Sequence, residues 1–163
     1  SPLGIGPILK DRDCINYGLV ACMSYIDDKG FGPSLVHRNG VTRARMWREI
    51  TCAQACDVSD DASLSASLDI LEETLGSSLG NLRGDFVCGQ YTLADAAWAG
   101  VCQVATNMGK SDAISSRAKV NSWFSAVQSH PSTSKESINP YACMSTKADA
   151  DAGTIREVRI NTA

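Results

Sequence analysis

The 163-residue chain lacks several features that mark particular classes of protein. It has no apolar run of membrane-spanning length and no segment with the pattern of a signal peptide. Basic residues are not in excess, since 15 lysines and arginines stand against 18 aspartates and glutamates. A general nucleic-acid binder needs a surplus of positive charge on one face. The composition therefore favours a cytoplasmic protein that is neither a membrane protein nor a general nucleic-acid binder.

Residues for metal or acid–base chemistry are also sparse. The two histidines, His37 and His130, are isolated in the sequence. Among the seven cysteines there is no CxxC pair, and the nearest approach to one, Cys52 and Cys56, has no histidine pair beside it. A structural zinc site needs a full set of such ligands. We therefore predict no metal, no cofactor and no catalytic residue, and interpret the cysteines as reduced, buried thiols.

Alternating strand patterns are scarce, whereas apolar residues recur at helical spacing along most of the chain. The second of the predicted helices should bury Val41, Ala44, Trp47 and Ile50 and expose Glu49, which would pair with Arg45 one turn away. For the segment 154–160 a strand and a docked tail both stay open. The predicted helices cover residues 12–28, 41–55, 60–79, 92–108, 111–117, 118–128 and 131–138.

One carboxylate lies inside the most apolar of these helices. The stretch Thr92-Leu93-Ala94-Asp95 follows a glycine turn and has the spacing of a capping box, in which each end residue satisfies a backbone N–H of the other. A negative charge there also complements the helix dipole. No histidine, second carboxylate or nucleophile accompanies Asp95 in the sequence, so we predict a structural role for Thr92 and Asp95.

The segment around this cap resembles the C-terminal helical domain of the glutathione transferase superfamily. The resemblance covers roughly residues 14–139, and it implies an all-α fold: a glutathione S-transferase C-terminal-like helical bundle with a truncated or vestigial thioredoxin-like N-terminal part. The implied division is a vestigial segment with one helix over 1–40, the bundle over 41–139 and a polar tail or linker over 140–163. The stretches that carry the resemblance are FVCG at 86–89, YTLAD at 91–95, VNSWF at 120–124 and His130-Pro131.

The glutathione-binding half of such enzymes needs more chain than the 40 residues that precede the second helix. Bundles of this type without that half are similar to appendages of aminoacyl-tRNA synthetases, the glutamyl type above all, to scaffold proteins of the multi-synthetase complex and to elongation factor 1 subunits. The resemblance therefore implies a non-catalytic domain that assembles proteins of translation. Its partners would be other domains of this kind, with a homodimer as one form.

Two surfaces are candidates for such contacts. The face left open by the missing half includes Tyr17, Met23 and Tyr25, and the helix that resembles the family's contact helix includes Asn121, Ser122 and Trp123. A separate basic cluster contains Arg43, Arg45 and Arg48, and it is either a solvated helix face or a docking site for an acidic partner or a tRNA backbone.

Two other functions stay open on the sequence alone. One is a glutathione-dependent transferase or a thiol redox enzyme that uses Cys14 or another thiol. The other is a helper domain that binds tRNA weakly.

Overall fold

Helices account for most of the secondary structure in the computed structural model, which describes residues 7–29, 33–77 and 84–130. The predicted helix over 131–138 and the segments 140–163 and 154–160 lie outside the described residues. In chain order the elements are β1 (Ile8–Asp11), β2 (Cys14–Tyr17), α1 (Leu19–Lys29), α2 (Gly40–Ala55), α3 (Asp61–Gly76), α4 (Leu93–Asn107), α5 (Ser111–Ser115) and α6 (Ala118–Ser129).

Most of the predicted helices are confirmed to within a residue or two at each end. Helices α2, α4 and α6 follow the predicted bounds closely, and α5 is shorter by two residues. Helix α3 ends at Gly76, earlier than the predicted end near residue 79. The described residues up to Gln128 form one compact unit, which contains all of these elements except the last residue of α6.

The prediction of a helix beginning at Arg12 is wrong, because residues 8–17 form an antiparallel β-hairpin. Strand β1 pairs with β2 in a register that places Ile8 opposite Tyr17 and Lys10 opposite Ile15. Arg12 turns the chain with a φ of 52°, and Gly18, with a φ of 83°, separates β2 from α1. Pairing across this tight turn gives residues 14–17 backbone partners that compete with helix formation, so the fold is mostly helical rather than all-α.

Helix α1 holds the hairpin on one side. The Tyr25 hydroxyl donates to Asp11 Oδ2 over 2.7 Å, and the Cys22 thiol donates to the backbone carbonyl of Asn16 over 3.6 Å. The bond to Asp11 and partial desolvation raise the pKa of Tyr25 to about 12. The Tyr25–Asp11 bond joins residues 14 positions apart and fixes the end of β1 to the helix.

Helix α2 buries a different face from the predicted one. Val41 is 82% exposed, Ala44 is exposed and Trp47 is only half-buried, so of the predicted inward residues Ile50 alone is fully enclosed. Positions at i, i+4, i+7, i+8 and i+11 form the inner stripe, which is the spacing of a helix packed on one side. The buried residues of α2 are Thr42, Met46, Glu49, Ile50 and Ala53.

Helix α4 is the centre of the bundle, as its apolar composition predicts. It packs along α2, and its Trp98 side chain is completely buried. Leu64, Leu68 and Leu71 of the α3 leucine stripe are also enclosed in the core. No helix among the described residues combines the length and the apolar character needed to cross a bilayer.

A side chain of α3 fixes the start of α6. The Glu72 carboxylate accepts from the backbone N–H of Val120 over 2.8 Å and from that of Lys119 over 3.2 Å. These are N–H groups that the first turn of a helix leaves without partners inside the helix, and a carboxylate is favoured there by the helix dipole. The contact sets where α6 begins and therefore where its aromatic residues enter the core.

Two glycines should respond in opposite ways to alanine. Gly84 has a φ of 158°, and a Cβ added there would overlap the carbonyl of Gly89, so Gly84→Ala should lower the free energy of unfolding by more than about 1 kcal/mol. Gly100 lies in α4 with open space around its Cα, so Gly100→Ala should raise the free energy of unfolding by about 0.5–1 kcal/mol. Urea denaturation measures both changes. Equal effects of the two substitutions would contradict the geometry of the Gly84 turn.

Candidate functional site

The capping box predicted at the start of α4 is present. The backbone N–H of Thr92 donates to Asp95 Oδ2 over 2.8 Å, and the two residues form the reciprocal pair that closes the first turn. Both side chains are fully buried. A capping box at the surface replaces contacts with water, whereas this one satisfies groups that water does not reach.

Asp95 also binds two groups that the sequence does not connect to it. Its Oδ1 accepts from the backbone N–H of Val87 over 2.9 Å and from the indole N–H of Trp123 over 2.9 Å. Its Oδ2 accepts from the Thr92 hydroxyl over 3.1 Å in addition to the Thr92 N–H. One carboxylate therefore holds together the loop before α4, the start of α4 and the middle of α6.

Burial and hydrogen bonding act on this carboxyl in opposite directions. Desolvation raises the pKa of Asp95 above its ordinary value, while the bonds from Trp123, Val87 and Thr92 oppose the rise. Each carboxylate oxygen already accepts two hydrogen bonds, and the exposed fraction of the residue is 0%. Asp95 is enclosed and fully bonded, which fits the structural role predicted for it.

The core contains a second buried carboxylate, Glu49 of α2, although the helical pattern predicts this residue on the solvent side. It is completely buried and accepts from Arg48 Nε over 3.0 Å, from the indole N–H of Trp98 over 3.4 Å and from the Thr74 hydroxyl over 3.5 Å. The predicted pairing of Glu49 with Arg45 is wrong, since the adjacent Arg48 is its cationic partner. The signal for burial was the spacing of Glu49 from Met46, which continues the inner stripe of α2.

The basic cluster predicted on α2 is partly used inside the molecule. Arg45 Nη2 donates to the carbonyl of Thr74 over 3.2 Å, and Arg48 lies over the buried Glu49. Arg43 is exposed and donates only a long bond, 3.5 Å, to the carbonyl of Arg38. The structure thus gives two of the three arginines a task in folding. Their use by an acidic partner or a tRNA stays a prediction.

The three residues of the first predicted interface differ in their exposure. Tyr17 is exposed on the hairpin, whereas Met23 is half-buried against the core and Tyr25 is half-buried with its hydroxyl on Asp11. The sequence missed four aliphatic neighbours in β1, β2 and α1, and these expose between 38% and 51% of their surface: Ile8, Ile15, Val20 and Ile26. For the two strand residues, Ile8 and Ile15, the prediction of a helix from Arg12 concealed the alternation of the hairpin.

The second predicted interface, on α6, includes one residue that is buried and so cannot contact a partner. Asn121 and Ser122 of α6 are exposed, but Trp123 is 3% exposed and donates its indole N–H to Asp95. The expectation that Trp123 offers a contact surface is therefore wrong, whereas the helical spacing of Trp123 with Val120, Phe124 and Val127, which predicts the inner face of α6, is confirmed. A tryptophan with its N–H bonded inside a core is a packing residue.

The thiols of the described residues are poorly suited to nucleophilic chemistry at four positions. Burial raises the pKa of Cys22 and Cys52, that of Cys88 to about 11 and that of Cys102 to about 12. The thiolate is the reactive form of cysteine, so a raised pKa leaves little of it at neutral pH. Within residues 7–29, 33–77 and 84–130 no group of three or more histidine, cysteine, aspartate or glutamate residues is placed to hold a metal ion.

A scan of protein-family models found no match to this chain, and a search of the curated proteins found none either. The geometry described above therefore carries the functional argument.

Removal of the Asp95 carboxylate should destabilise the protein strongly. Asp95→Ala leaves the buried donors of Val87, Thr92 and Trp123 without an acceptor, which should lower the free energy of unfolding by about 3 kcal/mol or more. The control is Asp60→Ala, which removes the exposed N-cap of α3 and should cost only about 1 kcal/mol. Urea denaturation of both variants tests this, and an equal cost would show that burial adds nothing to the Asp95 cap.

The loss of folding stability caused by Asp95→Asn should become smaller as pH rises. Asp95 has a folded-state pKa above the value of 3.8 expected when unfolded. Between those two pH values the unfolded chain has already lost the proton, while the folded protein still holds it. The wild type therefore loses stability as pH rises through this range. The asparagine variant does not titrate at this position and keeps its stability. Stability of both proteins measured from about pH 3 to pH 7 gives the difference directly.

Asp57 provides a control of opposite sign for the pH experiment. Hydrogen bonds from the hydroxyl and backbone N–H of Ser59 lower its pKa below 3.8 in the folded state. Its contribution to stability is present above 3.8 and is lost as pH falls through the lowered value, so the cost of Asp57→Asn should grow with pH. If the loss of stability caused by Asp95→Asn also grew with pH, the raised pKa of Asp95 would be contradicted.

Proposed function

We propose that the helices of this protein form a bundle of the glutathione S-transferase C-terminal type. The proposal is supported by the contact between two stretches that carry the resemblance, because Asp95 of YTLAD accepts from Trp123 of VNSWF. The central position of α4 and its buried cap also fit this type. The hairpin and α1 then correspond to the vestigial N-terminal part.

The function that the geometry supports best is non-catalytic binding of another protein. The observation that carries this proposal is the distribution of exposed apolar residues. Of the eight large hydrophobic residues exposed in the described part of the chain, five lie in the hairpin and α1, which together we call the N-terminal apolar region: Ile8, Ile15, Tyr17, Val20 and Ile26. A concentration of such residues in one short region is typical of a contact surface rather than of scattered surface variation.

The particular role that we propose is assembly of a cytoplasmic translation complex. The partner would be a helical domain of similar fold in an aminoacyl-tRNA synthetase, a synthetase-complex scaffold or a translation factor, and the parent protein would be of the glutamyl-tRNA synthetase type. This part of the proposal depends on the family resemblance. The exposed Asn121 and Ser122 on α6 offer a second contact region for the same purpose.

The two other functions have less support. A thiol enzyme needs a thiolate, and burial opposes its formation at four of the six cysteines in the described residues: Cys22, Cys52, Cys88 and Cys102. A tRNA-binding surface needs free cations, whereas Arg48 binds Glu49. We therefore place protein binding ahead of both.

The test is affinity purification of the tagged protein from its native cells under mild conditions. We expect a synthetase, a synthetase-complex scaffold or a translation factor to co-purify, with identification by mass spectrometry and a complex mass from light scattering. Ile26→Asp, at a residue 51% exposed on α1, should weaken the complex at least tenfold. The matched control Met108→Asp changes a residue that is 49% exposed outside the N-terminal apolar region and should leave binding intact.

Two results would overturn the proposal. One is a strictly monomeric protein that retrieves none of these partners. The other is conjugation of a chromogenic electrophile to glutathione by the purified protein, which would favour the enzyme.

A further inference from the structure

The two faces of the hairpin have the reverse of the usual polarity. Residues alternate between the faces, so the strand positions turned toward α1 are Leu9, Asp11, Cys14 and Asn16, all half-buried. The positions turned away from α1 form the outer hairpin face, which consists of Ile8, Lys10, Ile15 and Tyr17. The covered face thus contains one aliphatic side chain and the open face contains two aliphatic side chains and an aromatic one.

An antiparallel sheet with one face on a helix normally presents polar side chains to water on the other. Here Ile8 is 51% exposed, Ile15 is 47% exposed and Tyr17 is 37% exposed, and they are cross-strand neighbours through the pairing of Ile8 with Tyr17 and of Lys10 with Ile15. Apolar residues on both faces are typical of a sheet that is covered on both sides. The outer hairpin face therefore has the composition of an interior layer.

Shape and charge limit what can cover this face. It is two strands wide and four residues long, so at about 5 Å per strand it measures about 10 Å across and about 13 Å along the strands. A single α-helix, about 10 Å in diameter, matches such a strip in width.

Lys10 is the one charged residue among the four outward strand positions. A symmetric contact with a second copy would bring two such lysines into the same apolar contact, and the outer hairpin face of neither copy has a carboxylate to pair with them.

On these grounds we propose that the outer hairpin face binds an amphipathic α-helix of a partner protein, through the helix's apolar stripe and an acidic residue that pairs with Lys10. The inference depends on the proposed role in protein binding and specifies the element that is bound. The helix would cover Ile8, Ile15 and Tyr17 and complete a three-layer arrangement of helix, hairpin and α1. The acidic residue would select among helices, since charge complementarity contributes more to specificity than to affinity.

The experiment is selection from a displayed library of amphipathic helical peptides against the intact protein. We expect enriched peptides to have one apolar stripe with a flanking glutamate or aspartate. Their affinity should fall at least tenfold on Ile15→Asp. The matched control Ile70→Asp alters an aliphatic residue that is 48% exposed on α3 and should bind them as the wild type does.

A charge exchange tests the role of Lys10 separately. Lys10→Glu should weaken the enriched acidic peptides and should bind better the same peptides with lysine in place of the acid. Thermal unfolding of each variant checks that the fold is retained. Equal binding to the Ile15→Asp, Ile70→Asp and wild-type proteins would overturn the inference.

Three further outcomes also count against it. Concentration-dependent dimerisation that Ile15→Asp abolishes would identify a second copy as the occupant. A monomer that enriches no helical peptide would mean that the face is covered by other parts of the same chain or binds nothing. A translation partner that binds Ile15→Asp normally would refute this inference and leave the proposed function standing.

Discussion

The fold depends on the Asp95 carboxylate, which is buried in the core with four hydrogen bonds. Desolvation of a carboxylate is costly, and the cost is offset only when donors replace the lost water. Those donors come from three places: the loop at Val87, the first turn of α4 at Thr92 and the middle of α6 at Trp123. Because each needs the same acceptor, the three parts have to come together at one point.

A second buried carboxylate, Glu49, has a similar role in the core. Trp98 donates its indole N–H to Glu49, as Trp123 does to Asp95, so each of these buried tryptophans has a carboxylate for its one polar group. Glu49 differs in its connection to the surface, because the Arg48 side chain is 61% exposed. A basic residue that looks available for an acidic ligand is therefore partly committed to stabilising a buried charge.

The polar groups of the core are satisfied, whereas the hairpin leaves apolar side chains exposed. Trp123, the residue of the predicted α6 interface that would offer the largest contact area, belongs to the core, while the hairpin exposes Ile8 and Ile15 to solvent. A domain that has enclosed its polar cap, Trp98 and Trp123 gains little from leaving aliphatic side chains in water. This imbalance between a well-satisfied interior and an apolar hairpin face underlies the proposal of protein binding.

The sequence alone determined the features that depend on a few neighbouring residues. The bounds of α2 and α4 follow from local periodicity, and the capping box follows from two residues three positions apart. Tertiary structure decided the rest. The burial of Glu49 rests on a partner 49 positions away, the bond from Trp123 to Asp95 joins residues 28 positions apart, and the hairpin forms because β1 supplies partners for β2. Propensity acts within a turn of helix, whereas burial is set by contacts between residues distant in the chain.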